Sequence, residues 1–136
     1  MPCRPSAQIR AVKLAGQTVK LALHACSAGG QTWALASADV VDPALVGRAL
    51  EELLTQAAVN IGAASAPMLP LAVPGSTPHA GSRQMRMAGR LPDGRGIAEA
   101  VAVFSHGTVV FQATAFGEPL ADEAVQIFFG SLRAGR

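Results

Sequence analysis

Apolar and polar residues alternate from the start of the chain. The segments QIRAVKL (8–14) and QTVKLALHA (17–25) read as two strands. Ala15-Gly16 between them is a two-residue hairpin signal. Pairing Leu14 with Gln17 sets Ser6 near Ala25 and Pro5 opposite Cys26, with Cys3 a diagonal step away. Cys26–Gly30 then predicts a loop, and TWALASA (32–38) a third strand with Trp33, Leu35 and Ser37 on one face. The period changes at Asp42. Val46, Leu50, Leu53, Leu54, Ala57 and Ile61 recur at steps of three and four, which predicts a helix over about 43–60. Asp42 suits its N-cap, Pro43 its first position, and Asn60 and Gly62 its end. Residues 66–74 carry three prolines, so a strand there is an edge strand.

The next three segments predict an antiparallel meander over 83–91, 96–105 and 108–116, joined by Pro92-Asp93-Gly94-Arg95 and His106-Gly107. A four-residue first loop pairs Leu91 with Gly96, and a two-residue second loop pairs Ser105 with Thr108. That register sorts the side chains cleanly. Met85, Met87, Ala98, Ala100, Ala102, Phe104, Phe111, Ala113 and Ala115 fall on one face, and Gln84, Arg86, Arg90, Glu99, Val101, Val103, Gln112 and Thr114 on the other. The small side chains of the first face are expected to receive the first helix. A second helix over about 119–132 closes the chain, with Pro119 at its start, Asp122 and Glu123 favouring its positive end, and a stripe of Leu120, Ala124, Ile127, Phe128 and Leu132. The whole reads as one α+β domain over residues 1–136: an antiparallel sheet of six to seven strands flanked by two main helices.

Composition changes this picture little. A chain of 136 residues buries a sufficient core without a metal or disulfide. Net charge is +2, and basic residues cluster only at Arg83, Arg86, Arg90 and Arg95. That pattern, with few aromatics, argues against a nucleic-acid partner. No apolar run is long enough for a membrane helix. The opening MPCRPSAQ has no signal-peptide pattern and reads as the cut end of an exported form, with a cytoplasmic location left open. Cys3 and Cys26 fit no metal or redox motif. They read either as buried thiols or, in a periplasmic or secreted protein, as a disulfide.

Candidate chemistry concentrates in LAVPGSTPHAG (71–81). As a phosphate cradle it lacks the lysine and the following helix. As a nucleophile site, Ser76 and His79 with Asp93 do not form an elbow between strand and helix. The simplest reading is a Pro-Gly turn whose hydroxyls bond local backbone. His24, His79 and His106 lack metal-ligand spacing, so neither metal nor cofactor is expected. Arg86 and Arg90 are expected to pair with Glu99 across the strands. Beside Val101 and Val103 they make a mixed surface that suits a protein partner.

The order of elements resembles the PsbP-like domains, named for an extrinsic subunit of photosystem II. The matching features are Asp42-Pro43 before the helix, Pro74-Gly75 after it, and the closing Phe128-Phe129-Gly130-Ser131-Leu132-Arg133, where Leu132 replaces the usual phenylalanine. The resemblance covers about residues 17–133. It implies a sheet with helices on its faces, in a binding or assembly module of bacterial and often exported proteins rather than an enzyme. The expectation is a non-enzymatic domain that binds a protein through Gln84, Arg86, Arg90, Val101, Val103 and Gln112 or through the 75–82 loop, with a homodimer built through sheet edges or faces as a further reading. The rival is a small-ligand binder or hydrolase with a pocket between the first helix and the sheet, near residues 75–82.

Overall fold

The computed structural model describes residues 4–62, 68–71, 73–117, 120 and 122–132. Among them run seven strands: β1 (Ser6–Leu14), β2 (Gln17–Ala28), β3 (Gln31–Asp39), β4 (Met68–Pro70), β5 (Arg83–Arg90), β6 (Gly96–His106) and β7 (Val109–Gly117). Two helices, α1 (Val46–Asn60) and α2 (Asp122–Gly130), complete the set. Pro119, expected to open the second helix, lies outside the described residues. The strands form one antiparallel sheet in the order β1-β2-β3-β7-β6-β5-β4. Two meanders meet at the β3–β7 pair, and α1 carries the chain from the middle of the sheet to its far edge.

Local chemistry sets the turns. Ala15 and Gly16 both have positive φ, the geometry of a type I′ hairpin, and Leu14 pairs with Gln17 as expected. Glu52 of α1 accepts the Ala15 N–H at 2.8 Å and so holds a non-glycine residue in a left-handed conformation. Gly29 and Gly30 form a second turn of this kind, so β2 runs on to Ala28 and Cys26 is a strand residue rather than part of a loop. Asp42 caps the helical segment by accepting the Ala44 N–H at 2.9 Å, and Pro43 opens a single 3-10 turn before α1.

The meander departs from the expected register. Leu91 donates to the Arg95 carbonyl, Gly94 donates to the Leu91 carbonyl, and Gly94 has φ +89°. This is a three-residue loop closed by a glycine bulge. The bulge pairs Arg90, not Leu91, with Gly96. One residue of slip turns β5 over, so Met87 lies opposite Glu99 and Met85 opposite Val101. In the next turn Gly107, with φ +60°, takes the first central position and His106 pairs with Val109. That slip is two residues, so the faces of β6 and β7 are unchanged.

Each face of the sheet carries one helix. Met85, Met87, Val101, Val103 and Val110 lie under α1, whose Val46, Ala49, Leu50, Leu54 and Ala57 are buried against them. Ala100, Ala102, Ala113, Ala115, Phe104 and Trp33 lie under Val125, Phe128 and Leu132. The alanine face thus receives α2 and not α1. In α2, Val125 turns inward and Ile127 outward, which corrects the expected stripe. Each fully buried Leu or Val contributes roughly 1.5–3 kcal/mol. The fit is close at Gly89, where an added Cβ would stand 2.1 Å from the Ile61 carbonyl oxygen. That carbonyl ends α1 and accepts the Arg90 N–H at 2.8 Å.

Candidate ligand-binding groove

The register decides where the expected binding residues go, and it breaks the group apart. Val101 and Val103 are fully buried under α1 and present no surface. Arg86 and Arg90 project from the opposite face with Gln84. Arg86 reaches Asp122 at the start of α2, at 2.7 Å, and Arg90 donates to the Gly94 carbonyl. Neither pairs with Glu99, because the bulge puts the β5 arginines and Glu99 on different sides of the sheet. Gln112 alone of the six lies in a recess, half-buried beneath the end of α1. Cys26 is buried and does not stand as a free thiol. Cys3 lies outside the described residues.

The 71–81 segment is tied down locally. The Ser76 hydroxyl donates to the Val73 carbonyl at 2.7 Å, and Thr77 Oγ1 accepts the Gly107 N–H. His79 Nδ1 accepts the Gly81 N–H at 2.8 Å, and its ring rests against Gly47 of α1. His106 Nδ1 lies 3.0 Å from the Gly75 carbonyl, as befits a turn residue. These bonds pin the loop to the β6–β7 turn.

The recess lies elsewhere, between the second half of α1 and the part of the sheet this helix leaves uncovered. A cavity of about 650 Å³ runs from Arg10 and Lys13 on β1 toward the centre of the sheet. Leu21, Leu23, Ala34 and Ala36 form its apolar floor, and Leu53, Gln56, Ala57 and Asn60 its helical wall. A second cavity of about 280 Å³ shares Ala34, Ala57, Asn60, Gln112 and Thr114 with the first and continues it inward to Ile97, Leu91 and Phe116. The two make one groove. Its bed exists because β3 offers Ala34 and Ala36 where the neighbouring strands carry Leu23, Gln112 and Thr114.

Glu99 lies at the inner end. It is 7% exposed and has no hydrogen-bond or ion-pair partner among the described residues. Burial pushes its carboxyl up to about 7. Glu52, at the outer end, is held below the usual carboxylate range by the Ala15 N–H and then by Arg48 at 2.8 Å. The outer end of the groove thus carries charges of both signs, the middle is apolar, and the inner end holds one acid with no partner among the described residues.

Comparison with protein-family models, curated proteins and solved structures finds no match. Among the described residues no helix is long and apolar enough to cross a membrane, and no cluster of three or more His, Cys, Asp or Glu could hold a metal.

Sequence reasoning missed Glu99 as a buried acid, and Asn60 and Thr114 as groove residues. The available signal was Asp93-Gly94, which marks a glycine bulge as readily as a four-residue turn.

Proposed function

We propose that this chain is a non-enzymatic binding module that takes a small, largely apolar ligand in the groove between α1 and the sheet. The observation that carries the reading is the continuous recess, with its alanine floor and, at its end, an acid that has no partner among the described residues. Its size falls in the range of small-molecule sites, which are mostly apolar with a few placed polar groups. This reading takes up the small-ligand alternative without its loop: both cavities lie between the first helix and the sheet, and no residue of 75–82 lines either. The local bonds of Ser76 and His79 support binding over hydrolysis. The likeness to PsbP-like domains supports a binding role as well.

Nile red, a neutral apolar dye, serves as a first ligand. Its fluorescence is expected to rise and shift to the blue on mixing with the protein. Ala34→Phe fills the groove from a half-buried strand position that both cavities share. That variant should lose the signal while keeping its melting temperature. An unchanged signal in a folded Ala34→Phe protein would sink the reading.

A further inference from the structure

We infer that the groove selects an amine: an apolar body carrying a protonated nitrogen that Glu99 receives at the inner end. The inference rests on the groove reading above and names its ligand class.

The inner cavity contains one charged side chain among the described residues, and it is acidic. Lys13 and Arg10 stand at the other end, beyond the apolar floor. A buried carboxylate with no partner is costly, and an incoming ammonium group removes that cost by supplying a charge-assisted hydrogen bond. Gln112 adds a side-chain carbonyl oxygen at the same end and Thr114 a hydroxyl oxygen, while Asn60 Oδ1 already accepts the Gln56 amide N–H at 2.8 Å. An ammonium has three donors and no acceptor, so a set of oxygens around one acid suits it. Ile97, Leu91 and Phe116 would enclose the carbon atoms next to the nitrogen. A ligand carboxylate would meet Glu99 as a like charge, and an alcohol would offer a single weaker donor. The neighbouring Gln112 amide is already turned to Thr114 Oγ1 at 3.2 Å, which leaves its oxygen available to the cavity.

The test compares three ligands of one chain length: octylamine, octanol and octanoate. Each is titrated by calorimetry at pH 8 into the full chain. Octylamine should bind about tenfold or more tightly than octanol, and octanoate more weakly than either. Glu99→Gln should bring octylamine down to the level of octanol and leave octanol unchanged. Its amide is nearly isosteric, and circular dichroism checks that it folds. Equal binding of amine and alcohol by the wild-type chain would overturn the amine inference and leave the groove standing. Tighter binding of octanoate would overturn it too, since Glu99 would then act as an acid toward an anion. Binding of none of the three, with no response to Nile red, would overturn the groove itself.

Discussion

Glu99 is buried at the inner end of the groove, with no partner among the described residues. Its carboxyl titrates near 4.5 when unfolded and at about 7 in the folded chain, raised by burial. The folded state therefore holds this proton more tightly. Stability from this group is fully present below the unfolded value, falls as pH rises, and is lost once pH passes about 7. Glu99→Gln should flatten that fall and add roughly 1–2 kcal/mol at about pH 8, after allowing for solvent that enters through the groove. At about pH 4 it should change little. Urea unfolding of both proteins across this range checks the sign, and a variant that is less stable at the alkaline end would show that the carboxylate has a partner. In the sequence Glu99 read as a surface residue, because an acid between alternating arginines looks like an ion pair. Its true setting depends on one residue of strand register that its own neighbours do not encode.

At the level of elements, the two helices divide the sheet by side-chain size. Where α1 packs, the sheet offers mainly Met and Val, with Ala34 and Ala36 beyond it in the groove; the α2 face offers Ala with Phe104 and Trp33. Trp33 meets the Phe128 ring edge-on with centroids 5.3 Å apart. Ala100→Phe should overpack this second layer, cost roughly 1–3 kcal/mol and push α2 outward. The emission of Trp33, the one tryptophan, reports the change directly. A red shift with a lowered melting temperature is expected. An unperturbed Trp33 would mean that α2 does not seal the alanine face. The existence and order of the strands and helices were legible in the sequence, and so were the Ala15-Gly16 hairpin, the Asp42 cap and the edge placement of residues 68–70. The assignment of helices to faces was not, since either helix can sit on a sheet of small residues.

For the whole molecule, the sheet's two edges differ. The β4 edge is three residues long and ends in Pro70, which has no N–H to donate. The β1 edge is nine residues long and almost wholly exposed, with Ile9 71% accessible. Arg10 and Lys13 are its charged guards against pairing with another chain. Arg10→Val would join Ile9, Ala11 and Val12 into one unbroken apolar run along this edge. It should raise self-association over the wild type, measured by sedimentation at several concentrations. No difference between the two would show that charge is not what protects this edge. The sequence by itself determined the α+β class, the elements and the Ala15-Gly16 turn, because period, caps and turn residues act over a few neighbours. Only the tertiary structure decided the groove, the burial of Glu99 and the scattering of the six expected surface residues. The groove depends on where α1 crosses the sheet, which its own sequence does not state. The scattering, and the separation of Glu99 from the β5 arginines, follow from the Gly94 bulge, since in a strand of period two a single inserted residue exchanges the faces of everything beyond it.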